Sequence, residues 1–116
     1  MKRGNLSKHD IVLDALVRKL TRRGGLILKE FEYPSKYSCQ GEIDVARIRE
    51  PTWWEIYEVK ASRTDNNYRH ALKQLRAAKA YLCLKVGLGQ VDCYYVVPER
   101  NNRLKIERVL NGRRQE

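Results

Sequence analysis

The sequence predicts an α/β fold, a mixed β-sheet flanked by helices in the order α-β-β-β-α-β. Three observations carry this. Two stretches, near 7–23 and 66–85, place apolar residues at helical spacing. β-Branched and aromatic runs lie between and after them. Glycine or proline marks most of the junctions.

The first helix is expected from about Ser7 to Arg23. Ser7 serves as N-cap with Asp10 three residues on, and Ile11, Leu13, Leu16, Val17 and Leu20 form the apolar stripe. Gly24-Gly25 ends it. Leu26 to Tyr33 reads as a strand stopped by Pro34, and a polar loop runs to Gly41. Glu42 to Arg49 and Trp53 to Ala61 read as two further strands, joined as a hairpin through Glu50-Pro51-Thr52. Asn66 to Lys85 reads as the second helix, through Leu72, Leu75, Ala78 and Leu82, closed by Gly87 and Gly89. Val91 to Val97 is a strand ended by Pro98. Leu104 to Leu110 is a last short strand or helix. A helix of this length between the third and fourth strands can act as a crossover and would make them parallel.

The 116 residues suffice for one core, hence a single domain over 1–116, and a 42% apolar content argues for a folded chain. The formal net charge is +10, which points to a polyanionic partner, nucleic acid foremost. The charge is uneven. Residues 1–29 hold eight Lys/Arg against two acids and residues 60–85 seven against one, whereas residues 30–58 hold seven acids against three Lys/Arg. An acidic centre in a basic chain suits a metal site facing a phosphate backbone. The bland alternative is a basic surface that serves solubility.

Cys39, Cys83 and Cys93 fit no zinc spacing and read as small hydrophobes in a reducing compartment. No secretory signal or membrane-length apolar run is present, so a soluble, intracellular (cytoplasmic) protein without membrane attachment is expected. There is no phosphate-binding glycine loop, so no nucleotide cofactor is expected. His9 and His70 are too isolated for a zinc or Ser-His-Asp site.

The sharpest feature is Gly41-Glu42-Ile43-Asp44-Val45 followed by Tyr57-Glu58-Val59-Lys60. Glu58 and Lys60, two apart, share a strand face, and Asp44 joins them from the neighbouring strand if the register permits. Two carboxylates on one surface are hard ligands for Mg2+, which can polarise a phosphodiester and lower the pKa of a bound water. The lysine can orient that water or steady charge on the phosphate. The competing reading is a plain Glu58–Lys60 ion pair on an exposed strand.

These residues and the element order resemble the PD-(D/E)XK nuclease superfamily, which includes archaeal Holliday-junction resolvases and RecB-like and Cas4-like nucleases. The resemblance spans roughly residues 7–97. It places the first motif on Asp44, with Ile43 where proline is usual, and the second on Glu58-Val59-Lys60. Gln74 and Tyr81 resemble the family's glutamine and tyrosine on the following helix. His9-Asp10 resembles the His-Glu start of some members, although the usual glutamate is absent. The resemblance implies a restriction-endonuclease-like core and a metal-dependent DNA endonuclease, with Asp44, Glu58, Lys60 and Gln74 catalytic. The metal, Mg2+ with Mn2+ as a substitute, falls to Asp44, Glu58, Asp10 and Val59. Asp14 and Glu42 are alternatives for the metal sphere and Glu30 a weaker one. An exonuclease or single-strand nuclease, or a non-catalytic nucleic-acid-binding module on the same fold, are the alternatives.

Contacts to DNA are expected from Lys2, Arg3, Lys8, Arg63, Arg69, Lys73 and Arg76. Of Trp53 and Trp54, one is expected in the core and the other at a dimer interface, in a resolvase-like homodimer.

Overall fold

The computed structural model describes residues 7–34 and 40–109. The elements run α1 (Lys8–Arg23), β1 (Leu26–Pro34), β2 (Gln40–Glu50), β3 (Trp53–Val59), α2 (Asp65–Tyr81), β4 (Gln90–Pro98) and β5 (Leu104–Val109). The last element is therefore a strand. α2 is prolonged by a π-helical turn, Leu82–Val86, and is shorter as a regular helix than its periodicity suggests.

Local chemistry sets the ends. The Ser7 side chain accepts the Asp10 N–H at 3.1 Å, and Thr64 accepts the Asn67 N–H at 3.0 Å. Each hydroxyl satisfies an N–H the helix cannot, which is worth about 1 kcal/mol. α1 stops where Gly24 and Gly25 take φ of 91° and 95°, a region that side chains resist.

The sheet order is β1-β2-β3-β4-β5. All neighbours are antiparallel except β3 and β4, which run parallel because α2 carries the chain from one to the other. The two helices cover opposite faces. α1 packs Val12, Leu13, Leu16 and Leu20 on Val45, Tyr57, Val59 and Val96. α2 and its π turn pack Leu75, Ala78 and Leu82 on Ile43, Ala46, Ile56, Val91 and Cys93. Leu16 and Leu20 are fully buried, and each such side chain contributes roughly 2–3 kcal/mol.

A buried arginine ties α1 to the sheet. Arg47 Nε donates to the Gly24 carbonyl at 2.7 Å, and a terminal nitrogen donates to Glu55 Oε1 at 2.8 Å. Its cation thus meets the negative end of the helix and a buried carboxylate together.

Both tryptophans are half-buried. Trp54 sets an edge against Phe31, and Trp53 donates to Asp92 at 2.9 Å beneath the Arg49 guanidinium. Cys83 and Cys93 carry free thiols, and burial pushes that of Cys93 up to about 11. Cys39 lies outside the described residues. Among the described residues no helix is long and apolar enough to cross a membrane.

Candidate active site

Asp44 and Glu58 face each other where β2 and β3 part. The two strands pair in register as far as Val45↔Tyr57. One step further Asp44 would lie across from Glu58. There the ladder stops, and Asp44 Oδ2 accepts the Val59 N–H at 2.8 Å in place of a main-chain carbonyl. The other side of β2 is irregular at the same point. Its register with β1 runs Lys29↔Val45 and Phe31↔Ile43, and between them Glu30 takes a φ of 51°. That conformation costs a non-glycine residue on the order of 1 kcal/mol. Ile43 packs on the α2 side and Val45 on the α1 side, so the alternation of β2 breaks at Asp44.

Both carboxyls are withdrawn from water, with Asp44 at 5% and Glu58 at 4% exposure. Burial and then the Asp44 charge push the Glu58 carboxyl well above its usual range, to about 9. Lys60 opposes that shift. Its Nζ lies 3.8 Å from Glu58 Oε2 and donates to Gln74 Oε1 at 2.8 Å. The Glu58–Lys60 ion pair expected of a plain strand is therefore present, but it is neither exposed nor isolated. Gln74 reaches it from α2 on the opposite side of the lysine.

Further groups border the pair. His9, in the first turn of α1, brings Nε2 to 3.5 Å from Asp44 Oδ2, and its Nδ1 lies 3.7 Å from Asp10 Oδ1. Asp10 thus faces the histidine, and its carboxylate is about half-exposed at 47%. Asp14 is drawn away to Lys29. Glu42 is exposed, yet it sits close enough that Asp44, after burial, raises its carboxyl. Tyr33 lies over Gly41, stacks on Tyr81 with ring centres 5.0 Å apart, and feels the Glu58 charge. Tyr81 meets the site through Tyr33 and makes no hydrogen bond to it. Val59 contributes its N–H to Asp44 and buries its side chain in the core.

The structure thus gathers Asp44, Glu58, Lys60 and Gln74, with Val59 beneath them, and adds His9, which sequence reading set aside. The adjacent pair His9-Asp10 was the available signal. Its periodicity cannot say which of two neighbours turns inward until the helix is docked. Lys8 is exposed beside His9. Arg63 pairs with Glu107 at 2.9 Å. Arg69, Lys73 and Arg76 are exposed along α2, at spacings that share one face. Lys2 and Arg3 lie outside the described residues.

A buried pair of carboxyls beside a lysine defines a site that can hold a proton or a cation. The donor set is all hard oxygen, with no thiolate. Among the described residues no three His, Cys, Asp or Glu side chains stand together as a complete metal cage. Mg2+ requires no such cage, because it binds through one or two carboxylates and completes its sphere with water and phosphate oxygens. Asp44 and Glu58 fit that requirement. No protein-family model matches the chain, and comparison with curated proteins finds no relative.

Proposed function

We propose that this protein is a magnesium-dependent deoxyribonuclease of the PD-(D/E)XK type, cutting DNA internally by hydrolysis of a phosphodiester. The observation that carries the reading is the burial of Asp44 against Glu58 beside a lysine held by Gln74. Two like carboxyls destabilise each other in a dry site, and such an arrangement is commonly kept where a cation is bound. The net charge of +10 supports a polyanionic substrate.

Asp44 and Glu58 would hold the ion, Mg2+ or Mn2+, which supplies Lewis acidity toward the phosphodiester. Each residue then has a defined task. The Val59 N–H fixes Asp44 in one orientation. Gln74 Oε1 accepts a hydrogen bond from the Lys60 ammonium and so steers it toward the carboxylate pair. Lys60 is placed to orient the attacking water or to offset charge that builds on the phosphate, where a preorganised donor is most effective. His9 borders Asp44 and, with Asp10 behind it, closes the α1 side of the site. Resolvase-like action on four-way junctions is the finer form of this reading and requires a homodimer with a site in each copy.

The test is cleavage of labelled duplex, single-stranded and four-way-junction DNA, with Mg2+ or with EDTA, by the wild type and Asp44→Ala. Cutting that needs the ion and falls at least about 100-fold in the variant is expected. DNA binding without cutting in Mg2+ or Mn2+ would remove the enzymatic reading and leave a binding module.

A further inference from the structure

Lys8, Ile11, Ala15, Arg18 and Arg22 recur every three or four residues and so form one stripe along α1. That stripe does not face the sheet. It faces the β4–β5 connection, where the chain turns back through Arg100–Asn102. Between them runs a groove of about 1130 Å³, lined from α1 by Lys8, Ile11, Ala15 and Arg18 and from the connection by Arg100 and Arg103. It continues into a second recess of about 500 Å³ that shares Arg18 and Arg103 and adds Lys19 and Arg22.

Six cations therefore border one channel, with Glu99 as its acid. All six are exposed, and none forms an ion pair with another described residue. The basic side chains elsewhere include several that are paired, such as Arg47, Arg49, Arg63 and Arg108. The far wall is fixed. Glu99 N–H donates to the Arg103 carbonyl at 2.7 Å, Arg103 N–H to that of Arg100 at 3.3 Å, and Asn101 adopts a φ of 59° between them. Unpaired like charges held together on a rigid frame repel each other, so a polyanion laid between them is favoured.

We propose that this groove seats one phosphate backbone of duplex DNA and leads it to the Asp44–Glu58 pair. The inference rests on the nuclease reading and adds to it a path on the α1 face, apart from the cations of α2. Its dimensions suit the ligand. From Lys8 to Arg22 the helix rises about 21 Å, the length of roughly six base-pair steps measured along a duplex axis. The channel begins at Lys8, next to His9, whose ring contacts Asp44. Among the described residues its walls contain no aromatic ring on which an unpaired base could stack, and this selects a duplex backbone over a single strand.

The test measures fluorescence anisotropy of a labelled duplex and of its single strand, in EDTA, over a series of salt concentrations. The wild type is compared with the triple variant Arg18→Ala/Arg22→Ala/Arg103→Ala and with the corresponding triple lysine variant. All three positions are exposed, and circular dichroism verifies folding. The alanine variant is expected to bind duplex about tenfold or more weakly, with a salt slope smaller by about two to three. The lysine variant should keep most of both, because a phosphate needs the charge and not the guanidinium shape. Wild-type affinity and slope in the alanine variant overturn the groove. Tighter binding of the single strand through the same residues overturns the duplex assignment. Cleavage in Mg2+ is scored separately. Wild type that cuts while the alanine variant binds normally removes the groove alone. Wild type that binds through these arginines and never cuts removes the nuclease alone.

Discussion

Burial and the adjacent Asp44 both oppose ionisation of Glu58, and Lys60 only partly offsets them. The consequence for stability follows from its sign. A carboxyl raised to about 9 holds a proton in the native state that the unfolded chain releases near 4.5. Its contribution is intact at acid pH and is lost as pH rises through the interval between those values. Glu58→Gln keeps the shape and the hydrogen-bonding capacity without the charge. In EDTA the wild type should lose about 1–3 kcal/mol more than the variant between pH 5 and pH 8. Urea unfolding at the two pH values measures this. Equal losses in both proteins would show that Glu58 is not held protonated. Adding Mg2+ at pH 8 should stabilise the wild type and leave the variant unmoved, since only the former can exchange its proton for the ion.

β2 owes its course to a glycine and two tyrosines. A Cβ on Gly41 would stand 2.3 Å from Tyr33 Cζ, far inside contact distance. The ring has little room to yield, being buried and stacked on Tyr81. This wedge lies three residues before Asp44, where β2 leaves β3, and the Tyr33 ring is near enough to Glu58 to feel that charge. Gly41→Ala should therefore cost about 1–3 kcal/mol by overpacking, read from denaturant unfolding. It should also impair cleavage, although residue 41 touches no reacting group. An unchanged midpoint would mean that Tyr33 swings aside freely.

The excess of positive charge acts on the molecule as a whole. With a net charge of +10, self-repulsion opposes the compact state, and salt relieves it. Moving from about 0.02 M to 0.3 M NaCl should raise the melting temperature by a few degrees, the equivalent of about 1 kcal/mol. The same change should weaken DNA binding by orders of magnitude. The two effects have opposite signs, and together they distinguish a basic surface that serves a ligand from one that serves solubility. Salt-insensitive binding would favour the latter.

Much of the architecture was legible in the sequence because its causes are local. The helical stripes of α1 and α2, the Ser7 cap, the Gly24-Gly25 stop and the parallel pairing across α2 follow from periodicity, capping and connection length. So did the placement of Asp44 and Glu58 on neighbouring strands, since a two-residue alternation is short-range, although β3 ends at Val59 and leaves Lys60 one residue past it rather than within a strand reaching Ala61. Other features depend on how distant segments dock. Asp44 leaves its ladder for the Val59 N–H at the point where Glu30, across from it on β1, takes a positive φ, which no strand pattern signals. His9 meets Asp44 across 35 positions of sequence, and only the rotation of α1 on the sheet chose it over Asp10 to face the pair. The arginines of α1 acquire a common channel with Arg100 and Arg103 only because β5 returns the chain beside that helix. The sequence by itself determined which elements form and which side chains carry charge. The tertiary structure alone decided which of those charges are buried together, because burial and proximity arise when remote faces of the chain are packed against one another.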